Sequence, residues 1–200
     1  MGIVPRGWDL LYNTLAKLNL NLKGLRMCEL GNQLLRDHKG IEIIGVAKDY
    51  FIKLGVDHVS IDVNGKDGSL PIDLCKEITD NSLINTFDIV TNYGTGEHVD
   101  NQYMLFKNMH NLCKRGGIFI IIAPHIGYYK GHGSIHYTMD FFDGLIDKNN
   151  YTVINKSLDV SVTYVIFLSM VKDGNAEFML QQDFDILLKN TCWFGGTHGS

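Results

Sequence analysis

No stretch of this sequence approaches the run of roughly 20 apolar residues that a membrane span requires. The opening MGIVPRGWDLLYNTL has neither an apolar core of signal-peptide length nor a small-residue cleavage site. Neither export nor membrane insertion is therefore expected, and the expected compartment is the cytoplasm. Cysteine is sparse: Cys28, Cys75, Cys113 and Cys192 are scattered, with no C-x-x-C pair among them. That argues against a disulfide scaffold and a cysteine zinc site, and the four read as reduced thiols. Positive charge is not in excess either. A net charge of -4 with an isoelectric point near 6.0 argues against a chain whose main task is gripping nucleic-acid backbone. Linkers, internal repeats and low-complexity tracts are also missing, so the 200 residues suit one domain with a sizeable core. Usage is otherwise ordinary, with 45% hydrophobic and 20% charged residues. Small-molecule chemistry is the function class these absences favour.

What is present is an alternation of strand-length apolar runs with amphipathic, helix-length segments, the pattern of a parallel sheet covered by helices. The expected order starts with a helix over Asp9 to Leu18, a strand over Leu25 to Leu30 and a turn at Gly31. A helix over Ala47 to Gly55 and a strand over His58 to Asp62 follow. Phe87 to Gly94 is the next strand with its exit loop, and Asn101 to Cys113 the next helix, which Lys114-Arg115-Gly116-Gly117 should close with cations and a glycine turn. GIFIIIAP then reads as a buried strand, Thr138 to Asn150 as a capped helix, and YTVINKSL and VTYVIFLSMVK as the last two strands. The core is expected over residues 25–172, after an N-terminal helix region 1–24 and before an extension 173–200 whose tail from Asn190 looks loose.

The strand, the Gly31 turn, the helix and the strand ending in Asp62 make a mononucleotide-binding βαβ unit. In such a unit a carboxylate at the end of the second strand can reach a ribose diol. Asp62 follows Gly31 at a longer spacing than the roughly 20 residues of dinucleotide folds, because Asp37 to Val46 is inserted between turn and helix. The turn is also glycine-poor: Glu29-Leu30-Gly31-Asn32-Gln33-Leu34-Leu35 supplies one glycine where pyrophosphate binding needs three. That disfavours a nicotinamide cofactor. Taken singly, Gly31 could be only a tight turn and Asp62 only a loop carboxylate.

CELGNQLL, VSIDVNGKDGSLPIDL, FDIVTNYGTGEHV and LCKRGGIFIIIAP stand in the order and context of class I S-adenosylmethionine-dependent methyltransferases, and the chain resembles that family over roughly Arg26 to Lys172. The resemblance implies a single Rossmann-like α/β domain: a doubly wound sheet, mostly parallel with an antiparallel last strand, and helices on both faces. It implies S-adenosyl-L-methionine as cofactor and leaves the methyl acceptor open; a small molecule is expected, and His98, His125 and the nearby tyrosines point to oxygen as its acceptor atom. Residue by residue, Glu29 and Gly31 match the cofactor loop, Asp62 the ribose carboxylate, Asp73 the side chain near the adenine amino group, and Asn92 the first residue past the fourth strand; Asn32 and Gln33 beside Gly31, and Tyr93 beside Asn92, join them as cofactor-binding candidates by position. Gln33 and Leu35 occupy the second and third glycine places of the loop. A Gln amide there either helps hold the methionine carboxylate or marks a degenerate pocket, so a catalytically inactive cofactor-binding or regulatory domain of the same fold is the alternative.

The loop Asn92 to His98 suits a surface that lies along the cofactor and faces the transferred methyl. Glu97 and His98 read as a pair able to hold the proton of an acceptor hydroxyl, or else as a helix start with Glu97 at the positive end of its dipole. Five of the eight histidines, His98, His110, His125, His132 and His136, lie between the strand over Phe87 to Gly94 and the helix over Thr138 to Asn150. A metal site of His125, His132 and His136 is disfavoured, because glycines break the segment and no Asp, Glu or Cys stands at fixed metal spacing in it. The preferred reading is an acceptor-facing lid of Tyr128, Tyr129, His132, His136 and Tyr137, giving His98, His132 and His136 as catalytic candidates and no metal. His110 reads as a core histidine.

Overall fold

The computed structural model describes residues 2–37, 42–127, 131–161 and 164–192. Its centre is a six-stranded sheet of β2 (Arg26–Leu30), β5 (Asp57–Ile61), β6 (Phe87–Tyr93), β7 (Cys113–Pro124), β8 (Tyr151–Asp159) and β9 (Val165–Lys172), in the order β5-β2-β6-β7-β9-β8. The pairs among β5, β2, β6 and β7 are parallel; β9 runs antiparallel to both β7 and β8. The doubly wound sheet with its antiparallel last strand is therefore as expected.

Strand pleat divides the core in two. Met27, Ile89, Ile118 and Ile120 point to the face covered by α1 (Pro5–Lys17) and α2 (Ala47–Lys53), while Cys28, Val90, Phe119 and Ile121 point to the other. That second face packs against α3 (Gln102–Leu112), α4 (Met139–Asn149) and α5 (Gln181–Thr191). Because both faces are covered, the central strands read as unbroken apolar runs. Helix boundaries follow local chemistry. Asn101 and Thr138 cap α3 and α4 by accepting from Met104 N and Phe141 N, and Asn150 closes α4 at φ 52°.

Four expectations shift. Helix α1 begins at Pro5, whose fixed φ suits the first helical position, rather than at Asp9. The insertion after Gly31 is a hairpin, β3 (Leu34–Arg36) with β4 (Ile43–Val46), completed into a small sheet by β1 (Gly2–Ile3). Lys114 to Gly117 do not close α3 with a turn of their own; they form a bulge inside β7, where pairing slips from Phe87↔Cys113 to Ile89↔Ile118. The segment after residue 172 carries α5, whose Phe184 is fully buried against Phe106 and Phe141.

At the far end of the sheet from the strand exits, His110 is a core residue as read. Its Nε2 donates to the Ala176 carbonyl oxygen at 2.9 Å, which leaves Nδ1 to accept the Tyr151 hydroxyl at 2.7 Å. Burial, and then the neighbouring Lys172 ammonium, push its pKa down to about 4. Unfolded histidine titrates near 6.5, so between those values the unfolded chain binds the extra proton. The neutral ring's contribution is complete above about pH 6.5 and is lost as the pH falls toward 4, up to about 3 kcal/mol. Urea midpoints measured from pH 7 to pH 4 should fall more steeply for the natural chain than for His110→Gln; equal slopes would show that this ring titrates normally.

Candidate active site

The chain winds from β2 outward to β5 and then crosses back to β6, so β2 and β6 flank the point where strand order reverses, and ligands of open α/β sheets bind outside the strand ends there. Gly31, at φ 82°, turns the chain off β2, and its N–H donates to the Ile61 carbonyl oxygen at 2.7 Å. A Cβ at this position would stand 2.3 Å from Thr95 Oγ1, so a side chain is excluded on both counts. Asp62, just past β5, accepts from Asn32 N at 2.8 Å and from Asn64 N at 3.0 Å. The Asn32 side chain in turn donates to Asp67 at 2.5 Å. Thus Gly31, Asn32 and Asp62 meet at one strand edge. Asp73 lies beyond Leu70, which bridges to Ile61; its half-exposed carboxylate caps Cys75 N at 2.9 Å, and that bond together with Lys76 holds it below the usual carboxylate range.

Other cofactor candidates are turned inward. Glu29 is fully buried: Oε1 accepts from Gln33 N at 3.2 Å, and Oε2 lies 3.8 Å from His58 Nε2. Desolvation pushes the Glu29 carboxyl pKa up against the opposing pull of His58. Gln33 is buried as well; its amide nitrogen donates to Thr95 Oγ1 at 2.9 Å and Leu30 O at 3.3 Å, while Oε1 has no hydrogen-bond partner among the described residues. Asn92 Oδ1 accepts from Thr95 N and Gly96 N and so shapes the loop after β6. Tyr93 packs in the core beneath α1, where burial drives its hydroxyl far from ionising. Thr95, which the sequence did not single out, joins the two strand exits by donating to Leu30 O at 2.7 Å.

The histidines sort differently from the lid reading. His132 Nε2 lies 3.3 Å from Glu97 Oε1, and His98 Nε2 lies 3.9 Å from the same oxygen. The two rings meet edge to face with centroids 5.2 Å apart. Burial, offset in part by Glu97, lowers the pKa of His98. His136 is buried and hydrogen-bonded to the His132 carbonyl oxygen at 2.9 Å, so it fixes the backbone there. Tyr137 is a core residue whose hydroxyl donates to Gln102 Oε1 at 2.7 Å, a correction to the lid. His125 sits apart, half-buried and stacked on Tyr164. Tyr128 and Tyr129 lie outside the described residues.

Residues 61–121 match the model of the methyltransferase domain family. Over 81–85% of the chain, the fold is shared with solved methyltransferases. This is the class I methyltransferase fold. A 1,6-didemethyltoxoflavin-N1-methyltransferase from Burkholderia thailandensis, solved with S-adenosylhomocysteine, is 11% identical with a TM-score of 0.57, over 85% of this chain and 79% of that one. An S-adenosylmethionine-dependent methyltransferase from Mesorhizobium loti is 13% identical with a TM-score of 0.57, over 81% and 97%. A 16S rRNA (adenine(1408)-N(1))-methyltransferase from Catenulisporales acidiphilia is 11% identical with a TM-score of 0.50, over 82% and 90%. Comparison with curated proteins gives no match. The family's cofactor is S-adenosylmethionine, whereas acceptors range from small molecules to ribosomal RNA, so the methyltransferase fold leaves the acceptor open. No helix among the described residues is long and apolar enough to cross a membrane.

The residues fit that cofactor at its nucleoside end. A carboxylate offers about four lone-pair directions, and Asp62 uses two of them on backbone N–H groups, leaving two for ribose hydroxyls. The Gly31 turn brings bare backbone beside it. The amino-acid end differs from the glycine-rich loop of the family, because Gln33 places a buried amide where glycine would leave space.

Proposed function

We propose that this protein is an S-adenosylmethionine-dependent methyltransferase acting on a hydroxyl-bearing small molecule. The observation that carries the reading is the meeting of Gly31, Asn32 and Asp62 at one side of the sheet's reversal point with Glu97, His98 and His132 on the other. S-adenosylmethionine, when bound, supplies an electrophilic methyl on a sulfonium. The chain's own part is alignment, which costs little acid-base machinery. Asp62 holds the ribose, the Gly31–Gln33 turn the amino-acid end, and Asp73 the adenine edge. Glu97, His98 and His132 hold and orient the acceptor, with His136 positioning His132 through its backbone. The net charge of -4 weighs against a nucleic-acid acceptor.

The buried Gln33 amide favours a second reading, a domain that binds the cofactor without turnover. Incubation with methyl-labelled S-adenosylmethionine and a panel of alcohols, phenols, amines and structured RNA separates the two. Label should move to a small hydroxyl compound, and His132→Ala/His136→Ala should lower transfer at least about tenfold while S-adenosylhomocysteine affinity stays within about twofold. Cofactor binding with no transfer to any acceptor would support the second reading.

A further inference from the structure

The sequence offered no carboxylate at metal spacing among its histidines, but the fold supplies one from a segment 35 residues away. Glu97, His98 and His132 each offer a ligand atom, and the three atoms lie within 4.8 Å of one another. Two ligands 2.0–2.1 Å from a tetrahedral ion stand about 3.3 Å apart. The Glu97–His132 separation is 3.3 Å and the Glu97–His98 separation 3.9 Å, so the second needs only a small closure.

Glu97 is itself built in. It is 2% exposed, and its carbonyl oxygen accepts from Ser134 N at 2.7 Å and Ser134 Oγ at 3.0 Å. Gly133, at φ 73°, packs so closely that a Cβ there would lie 2.7 Å from Glu97 Cγ. Yet Oε2 of this buried carboxylate has no hydrogen-bond partner among the described residues. An unpartnered carboxylate oxygen in the interior is costly, and a cation beside it removes that cost. The histidines are less buried than Glu97: the His98 side chain is 41% exposed and that of His132 25%. A buried carboxyl group with two imidazoles beside it is a partial shell of three donors.

We infer that Glu97, His98 and His132 bind a first-row divalent cation, with its remaining coordination positions turned toward the acceptor. Two imidazoles and one carboxylate suit zinc, manganese or ferrous iron and leave positions free for other oxygen donors. The acceptor class that fits is a small molecule presenting a hydroxyl or a vicinal diol to the ion. The cation site stands independently of methyl transfer; the acceptor class rests on that reading.

The test is a titration of the full chain with Co2+ and Zn2+, read by visible absorption and calorimetry. One ion should bind per chain, and Glu97→Gln, His98→Ala and His132→Ala should each weaken binding at least about tenfold, with His125→Ala unchanged. The exposed His98 guards against a folding artefact at Glu97. Absence of binding to the folded chain, or binding that survives all three substitutions, would overturn the site. S-adenosylhomocysteine binding measured on the same samples keeps the two claims apart. Metal without the nucleoside leaves this site and removes the methyltransferase reading, and the nucleoside without metal does the reverse.

Discussion

Replacing Asp62 with alanine should weaken S-adenosylhomocysteine binding by roughly 30- to 150-fold, about 2–3 kcal/mol, in isothermal calorimetry. The magnitude is that of hydrogen bonds from two ribose hydroxyls to an ionised acceptor, lost together. Asp62 also caps Asn32 N and Asn64 N, so part of the loss will come from loosening the turn. Asp62→Asn keeps one carbonyl oxygen for those backbone groups. It should recover most of the turn's order but little of the affinity, because its amide presents a donor where the diol needs acceptors. Affinity unchanged in both variants would place the ribose elsewhere.

The second large effect concerns the C-terminal helix. Phe184→Ala should cost about 3–5 kcal/mol in urea unfolding, the range for emptying a buried aromatic site. The ring is fully buried against Tyr103, Phe106, Phe141 and Phe178, on the face of the sheet opposite α1. Ile186→Ala on the same helix should stay within about 0.5 kcal/mol, since Ile186 is 61% exposed. Similar small losses in both would mean that α5 is not part of the cooperative core.

These two residues also mark where the sequence was readable and where it was not. The place of Asp62 was legible because a βαβ unit with a glycine turn sets its second strand beside the first, so a carboxylate after that strand comes to the turn. Thr138 and Asn150 were legible for the same local reason: caps and left-handed closures depend on a few neighbouring residues. Phe184 was not, because α5 holds a short apolar set, Phe184, Ile186, Leu187 and Leu188, whose most exposed member, Ile186, does not share the buried face. The docking of α5 depends on an aromatic cluster assembled from distant segments.

The site shows the same division. Adjacent residues of a strand point to opposite faces, so Asn92 and Tyr93 could not both have faced a cofactor; Tyr93 went under α1 and Asn92 into the loop. With both faces of the sheet apolar, nothing in the run Phe87 to Tyr93 says which residue goes where. The Glu97–His132 contact joins two loops that only the topology brings together, and no spacing rule reaches that far. Gln33 was recognised as a departure from the glycine-rich loop, but its burial between Leu30 and Thr95 required the β6 loop to be in place.

The proposed nucleoside site lies at the ends of β2 and β5. Calorimetric titration of the full chain with S-adenosylhomocysteine tests it most directly. One molecule should bind per chain with a dissociation constant below about 1 mM, accompanied by a rise in melting temperature through mass action. A folded chain that shows neither heat nor a melting shift at millimolar S-adenosylhomocysteine would rule out a nucleoside site there.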